Sequence, residues 1–222
     1  MTSPTPPAEP TYADRTFRSS AGIVGGVLLL LFICWLGGDA LLRGRGRTPW
    51  LALAGLLTVV PLVVAFSVRP AVLANERRVR IRNPFRTITL PWTEVADLRA
   101  AYSSELFTED GTKYQMWAVP VSLRQRKRAA RQQTRDATTD PRGRTSGPAD
   151  VRDSKSPMAP ADRTMADLRE MAERAKAVAS APSEAPGSSG APEAPGSVRW
   201  AYEVIAPAVV GVVLFVVLLA TG

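Results

Sequence analysis

Three long apolar runs that almost lack charged residues constrain this chain more than any other feature. They cover about residues 21–42, 50–68 and 204–221. A helix of about 20 apolar residues is long enough to cross the ~30 Å hydrocarbon core of a bilayer. The sequence therefore predicts an integral, multi-pass membrane protein, with two spans near one end, one span at the other, and a polar middle.

The first two runs are joined by the short connection RGRGRTP, which forces them into an antiparallel hairpin. Asp39 falls near the end of the first run beside Arg43, so we expect it at a solvated helix end or in a local ion pair. Gly22 and Gly26 have the spacing that allows close helix approach in membranes. Pro61 should kink the second helix.

Residue usage excludes several kinds of chemistry. The chain has one cysteine, Cys34, and no histidine. An intrachain disulfide, a cysteine-based zinc site and histidine-dependent catalysis are therefore impossible. The carboxylates of the middle region are scattered over predicted strands and turns without a partner base. We predict no metal, no cofactor and no catalytic residues, and hence a protein that is not an enzyme.

Between about residues 70 and 122 the apolar pattern changes to a period of two. Val79 and Ile81 alternate with arginines, which is the pattern of half-buried strands. The turn around Gly111 is a strong hairpin signal, because glycine adopts positive φ without strain. This region is predicted to form an antiparallel meander of five or six strands, with Trp92 and Trp117 in the core or on strands.

The remaining segments have simpler signals. Residues 1–18 are predicted to be a disordered tail, and 180–200 a linker rich in Pro, Ala and Ser. Residues 123–161 hold a basic segment, helical by propensity up to about residue 133, and then a disordered insert. A second helix is predicted at 162–179, with an apolar stripe that includes Met165 and Leu168.

The distribution of arginine predicts the orientation, because cytoplasmic segments close to spans carry an excess of Lys and Arg. On one side of the membrane, the arginines near span ends are the three of the short connection between the first two spans: Arg43, Arg45 and Arg47. The other side carries a longer set: Arg15, Arg18, Arg69, Arg77, Arg78, Arg80, Arg82 and Arg199. We therefore expect the middle domain on the cytoplasmic side of the cell membrane.

Two motifs after the second span carry a family resemblance. They are Arg78-Val79-Arg80-Ile81-Arg82-Asn83-Pro84 and Pro91-Trp92-Thr93-Glu94-Val95. With the hairpin before them, they resemble the pleckstrin-homology-like (PH-like) domain of the actinobacterial low molecular weight protein antigen 6 family. The match covers roughly residues 70–122, and no residue-level function is carried over from it.

The resemblance implies a bent antiparallel sheet closed by a helix. Of the two helical segments, only 162–179 has an apolar stripe able to cover a sheet, so we expect this helix to close it. The predicted fold class is thus membrane α plus a small antiparallel β domain: a transmembrane hairpin, a PH-like sheet with one capping helix, and a third, C-terminal span.

Two basic clusters are the candidate sites for contact with anionic lipid or an acidic partner. The alternative is a solvated surface that only enforces topology. Nucleic acid is an unfavourable partner, because aromatic residues for base stacking are not interleaved with the second cluster. The first cluster is Arg77, Arg78, Arg80, Arg82 and Arg86, and the second is Arg124, Arg126, Lys127 and Arg128, with Arg131 beside them.

Two functions are consistent with these features. The first is a membrane-anchored binding or scaffolding module that acts at the cytoplasmic face and contacts anionic lipid or a protein partner in the membrane. The second is an accessory subunit of a membrane transport or envelope complex, in which the spans carry the specificity.

Overall fold

The computed structural model describes residues 13–139, 158–180 and 195–221. Its helices and strands, numbered in chain order, are as follows. The helices are α1 (Ser20–Arg43), α2 (Thr48–Val63, continued by a π-helical turn at Val64–Val68), α3 (Leu123–Thr139), α4 (Pro160–Ser180) and α5 (Tyr202–Ala220). The strands are β1 (Arg15–Phe17), β2 (Ala71–Ala74), β3 (Arg78–Arg82), β4 (Arg86–Pro91), β5 (Val95–Ala100), β6 (Ser104–Thr108), β7 (Lys113–Gln115) and β8 (Ser197–Trp200).

Three helices are long and apolar enough to cross a membrane: Ser20–Arg43, Thr48–Val68 and Tyr202–Ala220. Each begins and ends within two residues of the predicted span. The second lies between the other two and packs on both. Small residues permit this packing, because Gly26 meets Ser67 of the second span and Gly211 of α5 meets Ala54 and Thr58.

Three local features of the first two spans relate to residues singled out in the sequence or in their connection. Asp39 forms an ion pair with Arg43 across one turn of α1, with Nε and Oδ1 3.1 Å apart. Gly46 takes a positive φ of 61° in the connection to α2. Pro61 lies inside α2, and the π-helical turn follows three residues later. The backbone hydrogen-bond pattern of this span therefore changes shortly after Pro61, and the kink stays a prediction.

The first sheet has five antiparallel strands in the order β1-β2-β3-β4-β8. Its two outer strands correct two predictions. Arg15–Phe17 lies within the predicted tail, and Ser197–Trp200 lies within the predicted linker. Both segments pair because β2 and β4 would otherwise leave a row of unpaired backbone groups at each edge. Phe17 also packs against the core.

The second sheet has the order β5-β6-β7. Its strands follow the predicted meander, and Gly111 has a φ of 82° in the turn between β6 and β7. A register shift between Val95 and Asp97 marks a bulge where β5 begins. Bulges of this kind bend a strand and increase its twist. The two sheets therefore form the bent β structure expected of the fold class.

Helix α4 closes the sheets through its apolar stripe. Met165 and Leu168 are at most 1% exposed, and Ala172 lies beside them in the same core. Complete burial of one such large side chain contributes about 1.5–3 kcal/mol. Trp92 is 1% exposed in this core, and its indole N–H donates to the carbonyl of Asn75 at 2.7 Å. Trp117 is 48% exposed and lies in a turn two residues after the end of β7, so the prediction that it is in the core or on a strand is wrong.

The segment between the sheets and α4 also differs from prediction in extent. Helix α3 continues to Thr139, six residues past the end expected from propensity, and α4 begins at Pro160. Helix α3 has no apolar stripe, so the sequence pattern did not indicate where this helix would end. The predicted disordered segments within 1–12, 140–157 and 181–194 lie outside the described residues.

Candidate functional site

The first sheet has one end next to the three apolar helices, which we call the span-facing end. Three connections between strands and spans identify this end. Strand β1 ends at Phe17 just before α1, and β2 begins at Ala71 just after the second span. Strand β8 ends at Trp200 just before α5. The β3–β4 turn at Asn83 and Pro84 lies at the same end, since β3 is antiparallel to β2. The opposite, far end holds the turn at Asn75–Arg77.

Arg69 joins the sheet to two spans at this end. It follows the second span directly, and its side chain is only 11% exposed. Its guanidinium donates to the Asn83 carbonyl at 3.2 Å and the Thr87 hydroxyl at 3.3 Å, and pairs with Glu203 of α5 at 2.5 Å. One side chain therefore contacts the β3–β4 hairpin and the start of α5, which fixes the sheet relative to the helices.

Asn83 joins the two sheets at the same end. Its side-chain amide is buried, donates to the Gln115 carbonyl at 2.8 Å and accepts from the Trp117 backbone N–H at 3.3 Å. The Asn-Pro of the sequence motif thus has a structural reason, because a buried amide with both groups satisfied closes the corner between the sheets.

Aromatic side chains surround this corner on the side of the second span. The ring of Phe66 lies 5.3 Å from that of Phe85 and 5.5 Å from that of Trp117. Phe66 belongs to the span, whereas Phe85 and Trp117 belong to the β domain. The end of β7 is therefore also at the span-facing end. Because β6 is antiparallel to β7, the β5–β6 turn at Ala101–Ser103 lies there too.

The first predicted basic cluster is divided by the structure. Arg78, Arg80 and Arg82 alternate with the buried Val79 and Ile81 and lie on the outer face of the first sheet. Arg82 is at the span-facing end, in one cross-strand row with Thr87 and Arg199. Arg78 is four residues away, about 13 Å along the strand.

Two members of this cluster do not lie on the outer face. Arg77 is in the turn at the far end, where its carbonyl accepts a hydrogen bond from the Trp92 backbone N–H at 3.2 Å. Arg86 has the opposite strand parity and stacks over the ring of Tyr114 at 5.8 Å. The five arginines therefore do not form a single surface, and of the three on the outer face only Arg82 is at the span-facing end.

The second cluster is on α3, where its exposed members share one face. Arg124, Lys127 and Arg128 have the spacing of neighbours on a helix surface, and Arg131 continues the same row. Together with Leu123 they line a surface cavity of about 340 Å³. We call these four cations the α3 basic face.

Arg126 does not belong to the α3 basic face, contrary to its assignment as a contact residue. It forms a bidentate ion pair with Asp162, with Nε 3.1 and 3.0 Å from the two carboxylate oxygens. It also donates to the carbonyls of Ala100 and Ala101 at 2.8 and 2.9 Å. This side chain attaches α3 to the β5–β6 turn and to the start of α4. It leaves the α3 basic face pointing away from the domain.

The outer edge of β5 is protected by Arg126 and by Arg169, a residue that no sequence pattern singled out. Arg169 of α4 donates to the Leu98 carbonyl at 2.9 and 2.5 Å, and Arg126 covers the next carbonyls along the strand. Capped carbonyls cannot accept hydrogen bonds from an added strand. The faces and helices of this domain are therefore better suited to binding than the β5 edge.

The carboxylates of the domain are engaged in local contacts. Arg99 donates to Asp97 at 2.6 Å, and this hydrogen bond is the main cause that lowers the pKa of the Asp97 carboxyl below its usual range. The Thr108 hydroxyl, followed by groups of Thr112, likewise lowers the pKa of Asp110 in the β6–β7 turn. Within the described ranges, no three Asp, Glu or Cys side chains are grouped to hold a metal ion.

Comparison with known proteins places the β domain in a family. The family described as "Bacterial PH domain" matches residues 69–178, which run from Arg69 through all of β2–β7 and α3 and almost to the end of α4. No curated protein and no solved structure matches the chain. The PH domain suggests a binding or scaffold module. Residues 69–178 are thus a bacterial PH domain, completed at both edges of its first sheet by strands from outside the matched region.

Proposed function

We propose that this protein is a non-enzymatic, membrane-anchored binding or scaffolding module whose PH domain is held against the cytoplasmic leaflet and contacts anionic lipid. The main support is the span-facing end, where both outer strands continue into membrane helices and Arg69 joins the sheet to two spans. A domain attached in this way remains next to lipid head groups at all times.

In this arrangement Arg82 and Arg199 are the cations of the outer sheet face closest to the bilayer, and the α3 basic face is held near it by its attachment to the β5–β6 turn. Each basic residue near an anionic surface contributes about 1 kcal/mol. Arg77 and Arg78 are at the far end and contribute little, since the attraction decays within a Debye length of about 8–10 Å.

The narrower resemblance to the actinobacterial antigen 6 family and the cytoplasmic orientation stay predictions.

Substitution of cations on the α3 basic face by neutral residues should weaken the lipid contact. In nanodiscs, we expect amides of α3 to exchange more slowly in the full-length chain when phosphatidylglycerol is added to phosphatidylcholine. Lys127→Gln with Arg128→Gln should remove about 2 kcal/mol of this attraction, or roughly 30-fold in the bound population. Hydrogen–deuterium exchange with mass spectrometry measures this protection.

Arg77→Gln with Arg78→Gln is the matched control, because it removes the same charge at the far end. It should leave the protection of α3 unchanged. Equal effects of the two double variants, or equal α3 protection in neutral and anionic discs, would contradict the lipid contact. The full chain is required, because β1 and β8 lie outside the matched PH region.

The alternative function, an accessory subunit with specificity in the spans, is favoured by one observation. Helix α1 packs mainly on the second span, and its other side exposes large side chains such as Trp35 at 70% and Leu28 at 63%. Such a face can contact lipid or another membrane protein. Crosslinking with mass spectrometry in native membranes distinguishes the two functions by whether partner crosslinks map to α1 or to the PH domain.

A further inference from the structure

A notch of about 170 Å³ opens at the span-facing end of the second sheet. It lies between the β5–β6 turn and the chain that connects β7 to α3. Its lining includes Tyr102 and Ser103 of the turn and Trp117, Val119 and Val121 of the connecting chain.

The position of the notch is fixed by contacts with the second span. Trp117 forms one wall, and its ring is 5.5 Å from that of Phe66, which lies two residues before the end of that span. Ser104, at the start of β6, accepts a hydrogen bond on its carbonyl from the Met116 N–H at 2.8 Å and donates from its hydroxyl to the Val119 carbonyl. These bonds hold the two walls together at the level where the second span ends.

The lining is apolar on one side and polar on the other. Trp117 is 48% exposed and is followed by Val119, Pro120 and Val121, whereas Tyr102 is 88% exposed and lies beside the Ser103 hydroxyl. Tryptophan and tyrosine with these exposures are typical of the region between hydrocarbon and water. A ligand for this notch needs both an apolar and a polar part.

The charge around the notch favours an anion. Helix α3 begins two residues after Val121, and it places Arg124 and Lys127 at the same end of the domain. Two carboxylates near the notch are already balanced: Glu105 is bound by the Ser103 hydroxyl at 2.8 Å and paired with Lys113 at 3.5 Å, and Asp162 is paired with Arg126. The local balance is therefore positive.

We propose that the notch holds the glycerol and phosphate of one anionic phospholipid of the adjacent leaflet, with its chains beside Phe66. This inference rests on the proposed function, because it requires the domain to stand on the membrane. Lipid is the occupant that the observations favour, since the lining continues directly from a span and the leaflet supplies the ligand at high local concentration.

The test is native mass spectrometry of the full-length chain released from bilayers that contain phosphatidylglycerol and phosphatidylcholine. We expect a bound phosphatidylglycerol to be retained in preference to phosphatidylcholine. Tyr102→Glu places a negative charge in the notch at a highly exposed position, so the fold tolerates it, and it should reduce this retention about tenfold. Tyr102→Phe should retain the lipid.

Val178→Glu is the control, because Val178 is 77% exposed near the end of α4, remote from the spans. It should not change lipid retention. Equal retention by Tyr102→Glu and the unsubstituted protein overturns the notch proposal. If α3 protection in anionic nanodiscs persists in that case, the proposed function stands and only the notch is rejected. Loss of α3 protection in the variant with Lys127→Gln and Arg128→Gln supports the proposed function and does not test the notch.

Discussion

Gly211→Val is expected to separate α5 from the second span and to lower the stability of the full-length protein by about 1–3 kcal/mol. A Cβ atom at Gly211 would lie 2.6 Å from the Thr58 nitrogen and 2.9 Å from the Ala54 carbonyl oxygen. Both are backbone atoms of α2, so the clash cannot be relieved by a change of side-chain rotamer. The helices must move apart, and the dispersion contacts between them are lost.

The measurement is the midpoint of thermal unfolding of the full-length chain in detergent or nanodiscs. Gly25→Val is the matched control, since Gly25 lies in α1 and a Cβ there meets nothing within 4 Å. We expect a clearly lower midpoint for Gly211→Val and little change for Gly25→Val. Equal midpoints for the two variants would show that α5 does not pack on α2 at this position.

Arg69→Met is expected to loosen the attachment of the PH domain to the spans, at a cost of about 2–3 kcal/mol. Methionine retains an apolar stem of similar length but cannot donate to the Asn83 carbonyl or the Thr87 hydroxyl, or pair with Glu203. Hydrogen bonds from a charged donor each contribute about 1.5–3 kcal/mol, and neighbouring contacts of one residue are not additive.

The ion pair is the smaller part of this effect, because the Glu203 side chain is 63% exposed. Glu203→Gln should therefore change stability much less than Arg69→Met. Hydrogen exchange gives the local readout: amides of the β3–β4 turn and the start of α5 should exchange faster in Arg69→Met, while the far-end turn at Asn75–Arg77 should not. Arg78→Met, which neutralises an exposed arginine at the far end, is the control.

The parts of the fold that follow from local periodicity were predictable. Twenty-residue apolar runs and period-two alternation have strong signals, so the spans, the strands β2–β7 and helix α4 appear near their expected positions. Strands β1 and β8 did not have such signals, because three or four residues such as Arg15–Phe17 are too few to show a period. Their structure depends on the free edges of β2 and β4, which are remote in sequence.

The candidate site was less predictable, because charge alone does not reveal a partner. Arg126 has cations on both sides in the sequence and differs from them through its contacts with Asp162, 36 residues away, and with the carbonyls of Ala100 and Ala101. Arg69 looked like a topology signal at the end of a span and proved to be a partly buried link to the sheet. The alternation of Arg78 and Arg82 predicted a shared face, but only the strand direction shows which of them is near the membrane.

The depth of two labelled positions tests the central claim, that the PH domain stands on the bilayer with its span-facing end toward the lipid. Spin labels at Tyr102→Cys and Glu76→Cys, both exposed sites, are placed in the full-length chain with Cys34→Ser. In anionic nanodiscs, we expect oxygen, which concentrates in lipid, to relax the label at position 102 more strongly, and a water-soluble nickel complex to relax the label at position 76 more strongly. Equal relaxation at the two positions, or the reverse order, would contradict this account.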